Sequence, residues 1–503
     1  LNLILTQHRV KLALISFLLA VLLSPLFVSL PAQAAQTSVI PDTDVVPYGV
    51  NTFLDKEVEY WKKERTMQMI SESGVKWIKQ IFAWNEIEFK KGYFNDDKNK
   101  KSGWQKFDEI VDLAAKYNVK IVARVDQAPD WAKPSGGKPG GRPANFQDYT
   151  DFLKEFVKHY KGKVQYITIW NEPNLEREWM PGQGVNAKDY VDMLKASYKA
   201  IKDTDPSVRV MAAPLAITLE ENTKIALNEL TYLDQMYKAG AKDYFDIMPA
   251  NAYGLEFAPE AAPDPKTLNF RRVELLHQVM VKNGDGNKAV WFNEYGWNAS
   301  PASIPKAQLT WGRVTEQQQA DYTIRGYKYA RQNWPWAGVI FVWFFRQVGD
   351  IPDSSSEQYF QMVTKDFTPK PIYTAIKQDA LAFLQQRNEP TPAPVTAAVP
   401  ATPTPVPGGT NPPAVVTQAA AGTPLATVQA GATVTAVAQA PTANPTVAPT
   451  RAAVTPTPAG QPGAVTTTKQ DDSGSLIIII IGVVLVLAGG GGLAYWFTQR
   501  RQG

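Results

Sequence analysis

Between Val39 and Arg387 the chain alternates two patterns of apolar and polar positions. Short, nearly continuous apolar runs cover Pro47–Asn51, Val75–Ala83, Val119–Val125, Val164–Trp170, Val208–Pro214, Phe245–Tyr253, Ala289–Glu294 and Val339–Phe344. Runs of that length and β-branched, aromatic content predict buried strands. Between them, apolar residues recur at helical spacing, as in Phe107 to Tyr117, Asn145 to Lys161, Lys188 to Lys202 and Glu316 to Arg331. Strand and helix alternating eight times predict an α/β fold, a closed (β/α)8 TIM barrel. A doubly wound open sheet has the same alternation, but no Gly-rich phosphate loop supports it.

The ends follow other patterns. Residues 1–35 have the form of a signal peptide: His8, Arg9 and Lys11 are basic, Leu12 to Leu30 is almost wholly apolar, and Ala32-Gln33-Ala34 is a small-x-small box. The competing reading is an uncleaved anchor; the box directly after the apolar run favours cleavage. Residues 388–474 are rich in Pro, Thr, Ala, Val and Gln, a composition that cannot bury a core and predicts an extended, disordered stalk. Leu476 to Phe497, within a transmembrane segment drawn at 475–498, carries no charge and is long enough to cross a bilayer as a helix. Asp471 and Asp472 precede it and Arg500 and Arg501 follow, so the positive-inside rule puts the tail 499–503 in the cytoplasm. The expected product is a cell-surface protein: a folded domain over 36–387, outside the cell, anchored in the plasma membrane by its C-terminal helix.

Composition narrows the chemistry. There are no cysteines, which excludes disulfides, thiolate metal sites and cysteine nucleophiles. Of three histidines, His8 is in the leader, and His159 and His277 sit in helical stretches without a second His one turn away. A Ser-His-Asp triad or a zinc hydrolase is therefore hard to assemble, and no Gly-x-Ser-x-Gly elbow or P-loop is present. A formal charge of +4 without a clustered basic face gives no nucleic-acid footprint. Carboxylates are left to move protons, with no cofactor and no metal expected. The apolar ends make the membrane an expected partner and imply no obligatory protein partner; a carbohydrate partner is implied only by the two Glu motifs that follow.

Two segments carry that chemistry. Ile167-Thr168-Ile169-Trp170-Asn171-Glu172-Pro173-Asn174 closes the fourth strand, and Val290-Trp291-Phe292-Asn293-Glu294-Tyr295-Gly296-Trp297 closes the seventh. Each puts a carboxylate where an apolar strand meets a loop, the face on which barrel active sites sit. Strands four and seven lie across the barrel from each other, so Glu172 and Glu294 converge. Two converging carboxylates are what glycosidic cleavage requires. Two buried structural carboxylates are the alternative, weakened by both standing at strand ends beside Trp and Asn.

Trp-Asn-Glu-Pro-Asn, followed about 120 residues later by an apolar strand ending in Glu, resembles the large clan of retaining (β/α)8 glycosidases that includes cellulases, xylanases, β-xylosidases and β-galactosidases. The resemblance implies that Glu172 is the acid/base and Glu294 the nucleophile in retaining O-glycoside hydrolysis of β-linked sugars. It also implies that Asn171 bonds the sugar 2-hydroxyl, that Tyr253 bonds the nucleophile, and that Trp343 floors the sugar subsite; core packing is the alternative for Tyr253 and Trp343. Trp84-Asn85-Glu86-Ile87-Glu88 with Lys91-Gly92-Tyr93, and Asp126 with Pro129-Asp130-Trp131, are similar to the β-xylosidase and iduronidase branch. On that likeness Trp84, Asp126, Trp131 and Trp179 line subsites, against an alternative of packed indoles and a surface carboxylate.

There are departures from the clan pattern. Many members carry Arg near the end of strand two; here either Lys79 takes that place or the position lies elsewhere. Many have His two residues before the strand-six Tyr, where this chain has Asn251. Both bear on sugar specificity rather than mechanism. Competing readings of the whole are a catalytically inactive glycan-binding surface protein, a transglycosidase on the same site, and a barrel that only terminates a stalk.

Overall fold

Eight strands form one parallel sheet: β1 (Tyr48–Thr52), β2 (Trp77–Ala83), β3 (Lys120–Asp126), β4 (Tyr166–Ile169), β5 (Arg209–Met211), β6 (Met248–Tyr253), β7 (Val290–Gly296) and β8 (Ala337–Val342). The structure, a computed structural model, describes residues 39–134 and 141–390. Strands pair in the order β5-β4-β3-β2-β1-β8-β7-β6. Isolated parallel bridges, Met211 to Ile247 and Leu215 to Ala250, join the two edges and bring the sheet round into a barrel.

Helices α1 (Tyr60–Glu72), α2 (Gln105–Lys116), α3 (Phe146–His159), α4 (Ala187–Thr204), α5 (Glu229–Lys238), α6 (Val273–Lys282), α7 (Glu316–Asn333) and α8 (Pro371–Gln386) follow the strands in turn. Their starts are chemically marked. Asn145, Asn186 and Asn228 cap α3, α4 and α5, and Thr315 and Gln318 form a reciprocal capping box on α7, each satisfying a backbone N–H that has no partner within its helix. The expected leader, the stalk beyond residue 390, the membrane span and the tail lie outside the described residues. Among the described residues no helix is long and apolar enough to cross a membrane.

Side chains alternate along each strand. Ile78, Phe82, Val125, Ile167, Ile169 and Phe292 face the helices and join the main apolar core. On the other face, Trp77, Val122, Met211, Ile247, Trp291 and Phe341 meet at the N-terminal end of the barrel. Trp77 meets Trp291 edge-on and Tyr166 stacks on Trp291, both with ring centres 5.0 Å apart. The Trp291 indole donates to the Asp42 carbonyl at 2.9 Å. Two glycines make room for this plug: a Cβ on Gly49 would stand 2.6 Å from the Phe341 ring, and one on Gly338 2.1 Å from the Trp291 indole nitrogen.

Further along the strands the inward positions turn polar: Asn51, Lys79, Arg124, Asn251 and Asn293. An apolar plug thus carries a polar layer, and the active face opens above it.

The strands are shorter than their apolar runs. β4 stops at Ile169, because Trp170 and Glu172 take left-handed conformations (φ 74° and 37°) that no strand accepts. β8 stops at Val342, which leaves Trp343 just beyond the rim. β5 is three residues long, not seven.

Candidate active site

Glu294 owes its direction to an irregularity in β7. Ala250 of β6 pairs with Phe292, but the next residue, Asn251, pairs with Glu294. Asn293 is the extra residue of a bulge, and a bulge re-aims the side chains around it. Asn293 and Glu294 therefore both reach the interior instead of pointing to opposite faces. The Tyr253 hydroxyl donates to Glu294 Oε2 at 2.8 Å. The Lys79 ammonium lies 3.3 Å from Glu294 Oε1 and donates to Asn293 Oδ1 at 2.9 Å. Lys79 is buried at 3% exposure. Burial pushes its pKa down to about 8, against the opposing pull of Glu294. Burial, and then the charge of Glu294, hold the Tyr253 hydroxyl well above its ordinary range, so it remains a donor. The nucleophile candidate is thus held by a cation and a phenol.

Glu172 is placed by a strained turn. Left-handed conformations at Trp170 and Glu172 cost of order 1–3 kcal/mol each and persist where surroundings enforce them. Here the Glu172 amide donates to the Pro214 carbonyl, and the Trp170 indole donates to the Glu178 carbonyl. Fully buried Asn174 ties the turn to the loop after β5, donating to the carbonyls of Ala216 and Leu227 and accepting from the Ala216 amide. Asn251 Nδ2 donates to Glu172 Oε1 at 2.7 Å. Burial, then repulsion from Glu294 and Glu178, pushes the Glu172 pKa up to about 8, while Arg177 and Arg124 pull the other way. The two carboxylates therefore sit in unlike surroundings within reach of each other's field.

Asn171 is buried, and its Oδ1 accepts from Arg124 Nη1 at 3.1 Å. With that oxygen engaged, its amide NH2 is the donor left to meet a ligand. Arg124 Nε lies 2.9 Å from Asp126 Oδ2. Burial raises the Asp126 pKa to about 6, against Arg124.

The opposite wall is aromatic. Trp343 is partly exposed, with the Lys79 ammonium 5.9 Å from its ring centre and Phe53 edge-on at 5.5 Å. Trp311 stacks on Tyr253 at 5.5 Å.

The expected site residues therefore divide. Lys79, Glu172, Tyr253 and Glu294 fall into one network; Asn171 and Asp126 flank it through Arg124, and Trp343 lies beside it. Trp131 is partly exposed, its indole donating to the Glu88 carbonyl. Trp84 and Trp179 do not line subsites. Both are fully buried. Trp84 stacks on Phe152 and donates to Glu88, and Trp179 packs on Trp170 and Tyr190 and donates to Asp189. An indole with neighbours on its rings and a partner for its N–H is satisfied in a core.

Arg124 and Asn293 were not singled out by their sequence, and Asn251 stood out only as a departure from the clan pattern, not as a partner of Glu172. Strand periodicity carries the signal for two of the three, since Arg124 stands two residues from inward Val122 and Asn251 two from inward Tyr253. Among the described residues no group of three or more His, Asp or Glu side chains is placed to hold a metal ion.

Residues 41–229 match the family model for Cellulase (glycosyl hydrolase family 5). Among solved structures, the chain is similar to a family 39 glycoside hydrolase from Xanthomonas axonopodis pv. citri, with 17% identity, a TM-score of 0.50, and 67% of this chain and 66% of that one covered. It is also similar to a family 5 enzyme from Streptomyces cattleya in complex with Manb1-4GlcNAc, with 12% identity, a TM-score of 0.50, and 70% and 83% covered. For a family 39 glycoside hydrolase from the gut symbiont Bacteroides cellulosilyticus WH2 the values are 23%, 0.49, 67% and 63%. The chain thus spans just under two thirds of the two family 39 proteins. No curated protein matches it.

Proposed function

We propose that this barrel, a glycosidase domain of the large (β/α)8 clan of glycoside hydrolases, cleaves β-linked oligo- or polysaccharides by double displacement. The observation that carries the reading is the unlike treatment of two carboxylates close enough to repel each other. Glu294 is gripped by the Lys79 ammonium and the Tyr253 hydroxyl, both of which stabilise a carboxylate. Glu172 is pushed towards its protonated form by burial and by Glu294 itself. The carboxyl that its surroundings keep protonated is the one fitted to act as the acid.

In the first step Glu294 forms a bond to the anomeric carbon as the glycosidic C–O bond breaks, and the Glu172 proton goes to the departing oxygen. The covalent ester removes the charge of Glu294, and Glu172 can then ionise. In the second step Glu172 takes a proton from water, the water oxygen bonds to the anomeric carbon, and Glu294 leaves. The Asn171 NH2 donates to the sugar 2-hydroxyl oxygen, and Trp343 receives the ring face. We place the barrel outside the cell, tethered through the stalk and the C-terminal apolar segment.

Aryl glycosides of different sugars identify a substrate. Proton NMR of the product in the first minutes, before mutarotation, then tests the mechanism. The expected first anomer keeps the substrate's configuration; the opposite anomer overturns double displacement.

A further inference from the structure

Between the two carboxylates runs an unbroken line of donors. Lys79 Nζ donates to Asn293 Oδ1 at 2.9 Å, Asn293 Nδ2 to Asn251 Oδ1 at 2.9 Å, and Asn251 Nδ2 to Glu172 Oε1 at 2.7 Å. Lys79, Asn251 and Asn293 are all buried, so water does not compete for these bonds. The direction of the line is forced at its start. An ammonium has donors only, while a carboxamide has one acceptor oxygen and one donor NH2. While Lys79 keeps its proton, up to about pH 8, it therefore fixes which way the Asn293 amide faces. Asn293 in turn fixes Asn251, and Asn251 must present its NH2 to Glu172. The bulge in β7 makes this possible, because without it Asn293 and Glu294 would face opposite sides.

We propose that Lys79, Asn293 and Asn251 form a one-way hydrogen-bond relay that fixes the Glu172 carboxylate from the side of Glu294, with Asn293 and Asn251 as positioning residues. The proposal rests on Glu172 being the acid/base. That residue must hold a proton in the first step and release it before the second. Burial, Glu294 and Glu178 favour the protonated form; Arg177, Arg124 and Lys79 favour the ionised one. A donor fixed on Oε1 adds to the second group, since a hydrogen bond to the charged form stabilises it. If Asn251 were free to turn over, its oxygen would face Glu172 and favour the proton instead. Glu172 would then be a good acid and a poor base.

The test is a titration of the Glu172 carboxyl by carbon NMR, in protein labelled at its glutamate carboxyl groups. The resonance is identified by its loss in Glu172→Gln. Asn251→Ala removes the donor itself and should move the midpoint upward by about one pH unit. The deciding variant is Asn293→Ala, whose side chain touches neither catalytic candidate. The relay predicts a similar upward move, together with slower hydrolysis of the glycosyl-enzyme relative to its formation. An unmoved midpoint in folded Asn293→Ala overturns the relay. If that variant does not fold, Asn293→Ser serves, being polar but too short to span Lys79 and Asn251. The titration needs no turnover. Failure of the relay leaves chemical rescue of Glu172 variants intact, whereas a wrong role for Glu172 abolishes that rescue and leaves the titration readable.

Discussion

Glu172 is a carboxyl group that its surroundings keep protonated at a pH where water would ionise it, and this has consequences beyond catalysis. With its proton affinity raised to about 8 from an ordinary 4.5, the folded protein binds that proton more tightly than the unfolded chain does. By linkage, the resulting stability is fully present below about pH 4.5 and is lost as pH rises through about 8. Two outcomes follow. kcat/KM should fall as pH rises through about 8, because the acid of the first step is lost. Glu172→Gln, a permanently neutral mimic, should melt near the wild type at pH 4 and above it at pH 9. Calorimetry at the two pH values checks this; the same melting difference at both would show that burial does not set the proton affinity of Glu172.

At the scale of elements, the barrel depends on its plug. Trp291 is fully buried, packs against Trp77 and Tyr166, and holds the Asp42 carbonyl. It is also two residues before Asn293, so it supports the polar layer from below. Trp291→Ala should cost about 3–5 kcal/mol in denaturant unfolding, the range for removing a large buried side chain. A loss below 1 kcal/mol would mean that the plug does not carry the barrel's stability.

The same strands show what the sequence conveyed. Nearly continuous apolar runs located all eight strands and put Glu172 just beyond the end of β4 and Glu294 near the end of β7. The rim was not legible, because aromatic residues continue past it: Trp170 and Trp343 extend apolar runs whose backbone has already left the sheet. The bulge at Asn293 was not legible either, since Val-Trp-Phe-Asn-Glu-Tyr-Gly shows no break in pattern. Trp84 and Trp179 have the residue type of sugar platforms; what decides their role is the rings that cover them, Phe152 on Trp84 and Trp170 and Tyr190 on Trp179, which come from other elements of the fold. Arg124 was hidden for a like reason, as its partner Asn171 lies just beyond the end of the next strand.

For the whole molecule, the barrel is one part of a longer design. Surface display is proposed from sequence alone: a leader-like basic and apolar start, a Pro/Thr-rich stretch, and an uncharged apolar run before Arg500 and Arg501. Ending the chain before Leu476 should release active protein into the medium of expressing cells, while the full chain stays with the membrane fraction. Truncated protein that still sediments with membranes would refute the tether.

Chemical rescue of alanine variants tests the roles of the two glutamates most directly. With Glu172→Ala and a dinitrophenyl glycoside, the first step needs little acid help, so a burst should precede slow turnover. Azide, which needs no general base, should restore turnover and give a glycosyl azide of retained configuration. With Glu294→Ala, turnover should fall by about 10³-fold or more, at least about 4 kcal/mol of barrier, and azide should enter the vacated side to give the inverted product. Inverted azide from Glu172→Ala with retained azide from Glu294→Ala would contradict the account by reversing the two roles.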